Sequence, residues 1–263
     1  MKFIQRVCFL ILYCSNIFAS FFDFTGLYNE KFKIGLFYDY ERRELCFQSL
    51  HPTEILLDMN GKQFRYFDQV YTEYRAQVLS NSVRFSLVAN PFSKIKYLLG
   101  VRKFTSENTL LYSQRLISTN DGGYGCSFAL GYTIFPQTEL TPDIVAGAMV
   151  TADVYNFDTI LATEAKYRVD GKITVVNTSF CISFTKMLKP FLEVNCTGKV
   201  VYRNSSIVDN VNLYKVTGQE TFVNLALNNR FYLTKNESLN LSFDFAVGKE
   251  EYNISSSLVI SWW

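Results

Sequence analysis

Apolar and polar residues alternate along this chain at a period of two, segment after segment. Tyr124, Cys126, Phe128, Leu130, Tyr132 and Ile134 fall on one face, with Gly125, Ser127, Ala129, Gly131 and Thr133 on the other. Phe32 to Tyr40, Val70 to Val78, Val83 to Ala89, Thr174 to Phe184, Leu192 to Tyr202 and Leu239 to Val247 repeat the pattern. Strict alternation of this kind marks a strand with one apolar face. No helical period persists, the segments cluster near ten residues, and the links are mostly short. Together these predict an all-β, up-and-down antiparallel meander. About fourteen segments can be counted, which gives an expected 12–14 strands. Reversals are expected at Asn60-Gly61, Ser80 to Ser82, Ser106 to Asn108, Asp121 to Gly123 and Asp170-Gly171, where turn-forming residues cluster. Polar loops are expected over Pro136 to Pro142 and Arg203 to Asn210.

Composition bears on where such strands can live. Aromatics make up 16% of the chain and charged residues 19%, against about 25% charged in ordinary soluble domains. After the leader, no run reaches the length and apolarity of a membrane-spanning helix. A chain of this kind enters a bilayer only as closed strands, because lipid offers no partner for open backbone groups. Tyr38, Tyr40, Tyr66, Phe67, Phe104, Tyr132, Phe135, Tyr155, Phe157, Tyr202 and Phe231 lie near strand ends, where two interfacial girdles are expected. Ala146, Gly147, Ala148 and Ala152 fit either close approach across a lumen or tight packing within a sheet.

The final segment carries the most specific signal. Ile254, Ser256, Leu258, Ile260 and Trp262 share one face, and the sequence ends on Trp262-Trp263. This alternation with a terminal aromatic resembles the closing strand of Gram-negative outer-membrane β-barrels. Trp262 matches the terminal aromatic of that pattern, and Trp263 lies one residue beyond it. The resemblance implies a transmembrane β-barrel in the bacterial outer membrane. It also implies that Ile254, Leu258, Ile260, Trp262 and Trp263 close the barrel and carry the signal read by the barrel-assembly machinery. Outer-membrane lipid is then a partner, and small solutes or ions are candidate cargo.

Residues 1–19 read as a cleaved signal peptide: Lys2 and Arg6, an apolar run from Val7 to Tyr13, and Ala19 at the cut. Residues 20–263 then form a single barrel domain. The chain has 26 Lys and Arg against 24 Asp and Glu, and both excess charges are Lys2 and Arg6. The remaining chain is neutral and offers no electrostatic footprint for nucleic acid. Cys46, Cys126, Cys181 and Cys196 remain after cleavage. Cys126 falls on an apolar face, and Cys181–Cys196 is the candidate disulfide.

No metal spacing, phosphate loop or nucleophile elbow is present. The single histidine, His51, reads as a loop residue beside Pro52. No enzyme and no cofactor are expected. The polar face of the strands is the candidate functional surface: Glu73, Arg75, Arg84, Lys94, Lys96, Arg102, Gln114, Glu164, Lys166, Arg168, Glu193, Lys199 and Asp244. Pointing inward, these mixed charges either line a water-filled pore or pair and stiffen a plugged barrel. The passive pore or small-solute channel is the first reading, and a non-conducting structural or surface-interaction barrel is the second. A third is a secreted β-sandwich glycoprotein, from sequons at Asn177, Asn195, Asn204, Asn236, Asn240 and Asn253.

Overall fold

The computed structural model describes residues 32–59, 62–92, 94–111, 115–118, 123–162, 165–209, 214–234, 239–248 and 251–262. All its regular structure is β. The segments are β1 (Phe32–Met59), β2 (Lys62–Phe92), β3 (Ile95–Leu111), β4 (Arg115–Ser118), β5 (Tyr124–Phe135), β6 (Asp143–Ala162), β7 (Ala165–Lys189), β8 (Leu192–Asp209), β9 (Tyr214–Tyr232), β10 (Leu239–Gly248) and β11 (Glu251–Trp262). β4 and β5 both run between β3 and β6, so they are two lengths of one broken strand. Each strand pairs antiparallel with its neighbours, and β1 pairs with β11 from Phe32↔Trp262 to Arg43↔Glu251. The result is a closed ten-strand barrel. A barrel has no open sheet edge, which is what a β-protein in lipid requires.

Ten strands replace the expected 12–14 because four expected breaks lie inside continuous strands. Ser80 to Ser82 lies within β2, Ser106 to Asn108 within β3, Asp170-Gly171 within β7 and Arg203 to Asp209 within β8. Ser80, Ser82 and Ser205 are buried inside the barrel, where a small hydroxyl fills space between larger side chains. β1 and β2 reach 28 and 31 residues, about three times what a tilted membrane strand needs. His51 and Pro52 lie within β1 rather than in a loop. The chain reverses between Met59 and Lys62, which pair.

Parity sorts the side chains as the alternation requires. On β5 the burial pattern alternates strictly, with Tyr124, Cys126, Phe128, Leu130 and Tyr132 outward. Phe180, Ile182 and Phe184 on β7, Val223, Leu225 and Leu227 on β9, and Leu258 and Ile260 on β11 are likewise exposed. An apolar outer belt with a polar interior inverts the soluble pattern and excludes the β-sandwich reading. Asn177, Asn195 and Asn253 are buried inside the barrel, where no glycan fits. Ala146, Ala148 and Ala152 alternate with the buried Val145, Met149 and Thr151, so they take the outer face rather than lining the lumen.

The barrel has two tiers. The β10–β11 hairpin is short, and β1 and β9 both run past it. Above it, β1 crosses to β9 and pairs at Gln48↔Thr217. Gly218 permits this approach: a Cβ there would lie 1.7 Å from the Cys46 carbonyl oxygen. The upper tier therefore closes through β1, β2, β3, β4, β6, β7, β8 and β9 as eight strands. Beyond it the β1–β2 hairpin continues as a two-stranded ribbon, residues 49–59 paired with 62–72. At about 3.4 Å per residue the ribbon is roughly 35 Å long.

Candidate functional site

The lumen is the site the fold builds, and its contents are read upward from the end that carries Phe32 and Trp262. At that lower end, Arg230 Nη1 donates to Glu193 Oε1 at 3.0 Å, and the Tyr232 hydroxyl donates to Glu193 Oε2 at 3.1 Å. Lys96 Nζ donates to Asp143 Oδ2 at 3.1 Å. Asn195 donates to the hydroxyls of Ser183 and Thr185. Above these, Val88, Leu98, Ala129, Val145, Met149 and Cys181 form a first apolar layer. Arg84 then grips Asp39 with two parallel bonds, Nε to Oδ2 at 3.0 Å and Nη2 to Oδ1 at 3.2 Å. Its guanidinium lies 3.9 Å over the Phe37 ring.

The centre of the barrel is a closed ionic cycle. Arg43 Nε donates to Glu41 Oε1 at 2.7 Å, and Arg43 Nη1 donates to Asp153 Oδ2 at 2.6 Å. Arg102 Nε donates to Asp153 Oδ1 at 2.6 Å, and Arg102 Nη1 returns to Glu41 Oε2 at 3.1 Å. Two arginines and two carboxylates thus neutralise one another, and Tyr155 accepts from Arg43 Nη1 at 3.0 Å. β1 and β6 lie on opposite sides of the strand order, so the cycle crosses the bore. Gly125 makes room for it, since a Cβ there would stand 2.1 Å from Asp153 Oδ1. All five residues are buried. Planar guanidinium forks suit such shared carboxylates, and full pairing is the condition for keeping charge away from water.

Beside the cycle, Arg203 Nε donates to Asn177 Oδ1 at 3.0 Å, and Nη2 donates to Glu251. Asn224 Nδ2 donates to Glu251 Oε1 at 2.8 Å. A cavity of about 30 Å³ lies here, lined in part by Glu41, Arg43, Lys199, Glu251 and Asn253. It holds a few water molecules at most. A second apolar layer caps the whole: Leu45, Phe47, Val78, Phe104, Tyr155, Ile173, Val175 and Ile207.

Of the charges proposed from sequence, Arg84, Arg102, Glu193 and Lys199 are buried in the lumen. Glu73 and Arg75 sit on β2, Lys166 and Arg168 on β7, and Asp244 on β10. Lys94 is exposed on the β2–β3 turn rather than lining the lumen, whereas Lys96 is buried. Residues 1–31, which include the segment expected to be a signal peptide, lie outside the described residues, as do Gln114, Glu164, Asn236 and Trp263. Ile254, Leu258 and Ile260 lie on the outer face of β11, and Trp262 pairs with Phe32. The expected Cys181–Cys196 disulfide is absent: Cys181 is buried in the lumen and Cys196 is exposed on the outer face. Phe184↔Cys196 and Cys181↔Lys199 set the two cysteines an odd number of residues apart in register, hence on opposite faces. Phe104 and Tyr155 are not girdle residues; they face inward with ring centroids 4.6 Å apart. Tyr40 and Tyr252 do meet on the outer surface, 6.2 Å apart, below the Arg42–Glu44 pair.

Sequence reasoning missed Glu41, Arg43, Asp153, Arg203 and Glu251. The alternation Asp39, Glu41, Arg43 continues the inward face of β1 and was the available signal.

No family model matches the chain, and no curated protein matches it in sequence. Solved structures do match. The outer-membrane protease OmpT from Escherichia coli superposes at a TM-score of 0.51 with 7% identity, over 89% of this chain and 98% of that one. The translocator domain of the autotransporter NalP from Neisseria meningitidis gives a TM-score of 0.48 with 8% identity, over 100% of this chain and 95% of the other. The Pseudomonas putida toluene transporter TodX gives 0.32 with 10% identity, over 94% and 95%. The likeness to the first is one of fold. The chain has the architecture of a Gram-negative outer-membrane β-barrel, and at such identity no activity comes with it.

Proposed function

We propose that this chain is a sealed outer-membrane barrel, a non-conducting scaffold that holds its upper tier and ribbon outside the membrane. One observation carries the reading. Two apolar layers stand in the bore on either side of the ionic cycle, and the cavity beside that cycle measures about 30 Å³. Conduction needs a continuous wet path, and an apolar constriction opposes one by excluding water. The passive pore, the first reading from sequence, is therefore the less favoured of the two. Among the described residues, the buried Arg43, Arg84, Arg102 and Arg230 are each paired with a carboxylate, which works against selection of an ion of one sign.

Phe32 and Trp262, the outer ends of β1 and β11, lie at one end of the barrel with short turns, and the long hairpins lie at the other. Barrels of this class keep short turns on the periplasmic side and longer elements outside. The eight-strand tier and the ribbon then face the exterior, where a partner would meet them. No catalytic step is part of this reading. The outward row Ile254, Leu258 and Ile260, ending at Trp262, is proposed as the signal for the assembly machinery. The test is reconstitution of heat-modifiable protein in a planar bilayer. Folded barrels that remain silent support the sealed scaffold. Stepwise conductance with unmodified protein returns the function to a pore.

A further inference from the structure

The lower rim carries exposed apolar side chains at the last residues of strands (Phe92, Phe135, Leu188) and, beyond the strands, in the turns and loop below them (Leu140, Phe191, Leu233). Phe92 is 61% exposed, Phe135 60%, Leu140 93%, Leu188 59%, Phe191 53% and Leu233 57%. They form one continuous arc. Thr133 N donates to the Lys94 carbonyl at 2.8 Å, joining the β2–β3 turn to β5. Lys186 Nζ donates to the carbonyls of Thr138 and Glu139, each at 2.7 Å, clamping the β5–β6 loop to β7. Met187 N donates to Gln137 Oε1 at 2.9 Å, and Tyr232 N donates to the Phe191 carbonyl at 3.0 Å, carrying the arc on to β9.

The loop is built to present Leu140. Thr138 Oγ1 accepts from Thr141 N at 3.0 Å, and Thr138 N donates to the Thr141 carbonyl at 3.1 Å. Pro136 and Pro142 bracket it. A loop held at this many points does not expose a leucine through slackness.

Charge indicates what covers the arc. Among the described residues of these turns, the exposed or half-exposed charges are Lys94, Glu139, Lys186 and Lys189, an excess of two positive charges. Apolar side chains with lysines beside them match the interface between acyl chains and anionic headgroups. The arc is also continuous with the lipid belt, directly below Tyr132 and Ile134 on β5 and Phe184 on β7. We propose that the arc seats in an anionic phospholipid headgroup layer. Leu140, Phe135 and Phe191 enter the upper acyl region, and Lys94 and Lys189 meet lipid phosphates. The proposal rests on the membrane-barrel reading and adds where its lower boundary sits and which lipid class it prefers.

The test places an environment-sensitive fluorophore on Leu140→Cys in a chain whose outward-facing cysteines are removed by Cys46→Ala, Cys126→Ala and Cys196→Ala. A Leu233→Cys label serves as the second site should the first variant fail to fold. The protein is folded into vesicles of phosphatidylcholine containing phosphatidylglycerol, with either lipid brominated near its headgroup. The expected result is quenching by bromolipid with protection from aqueous iodide. Quenching should be stronger with brominated phosphatidylglycerol, and that preference should fall by roughly fivefold for each of Lys94→Gln and Lys189→Gln. Iodide quenching without lipid quenching puts the arc in water, overturns the proposal and leaves the rim to a protein partner. Equal quenching by both lipids overturns the anionic assignment. Labelled protein that never shows a gel shift on boiling has failed at the barrel itself, a separate failure.

Discussion

Arg203 Nη1 on β8 donates to the main-chain carbonyl of Glu44 on β1 at 3.0 Å, across 159 positions of sequence. The same guanidinium reaches Asn177, Glu251 and the Phe222 ring, so one buried side chain ties β8 to four other strands where the wall changes from ten strands to eight. Arg203→Met leaves the Glu251 carboxylate short of its partner. The expected cost is about 3–5 kcal/mol, read as a lower urea midpoint for the boiling-dependent gel shift. Adding Glu251→Gln should restore part of it, because the stranded charge is then gone.

Asp153 serves Arg43 and Arg102 together. Asp153→Asn keeps the shape and removes the charge that holds two cations side by side. A loss of about 3–5 kcal/mol is expected, again in the urea midpoint. The bilayer should stay silent, because both apolar layers remain. Conductance from this single change would mean that the ionic cycle is itself the seal.

Phe104 and Tyr155 meet above the cycle. Phe104→Ala should cost about 3–5 kcal/mol through lost burial and the space left behind. Combining it with Leu45→Ala and Phe47→Ala strips three side chains from the upper layer. Brief conductance events are expected from the triple variant and none from the single one.

Cys196 faces lipid and Cys181 faces the lumen. The folded protein should run identically with and without reductant. A membrane-soluble maleimide should label Cys196 at once, and Cys181 only after unfolding. Mass spectrometry of the labelled peptides decides the matter.

Gly218 against the Cys46 backbone is the tightest point of the β1–β9 crossing. Gly218→Val cannot be accommodated without separating the two strands. Faster cleavage of the β1–β2 ribbon by added protease is expected, with the membrane-level barrel still shifting on boiling.

Much of this architecture could be read from residue order, and the reason is parity. Tyr124 to Ile134 alternates so strictly that both the face and the strand follow from the order of its residues. Strand number could not be read the same way. Ser80, Ser82 and Gly171 carry turn chemistry but occupy inward, buried positions of continuous strands, where a small residue fits beside larger ones. Arg203 is hidden for the same reason: its polar run carries loop chemistry, although Val201, Arg203, Ser205 and Ile207 keep the inward step. Which charges pair could not be read at all. Glu41 and Asp153 become partners of the same two arginines only because closure brings β1, β3 and β6 around one bore. The cysteine pairing, by contrast, could have been rejected from sequence, because Cys181 and Cys196 fall on opposite phases of their own strands.

The two-tier wall also has a consequence for the order of assembly. Every strand of the eight-membered ring is present once the chain has reached Tyr232, and its last link, Gln48 to Thr217, uses nothing beyond that point. The ring can close while the final hairpin is still absent. β10 and β11 then enter a slot already framed by β9 and β1, as the last pieces set into an arch. Closing the ring first spares the nascent sheet a long period with two bare edges, the form most prone to pair with other chains.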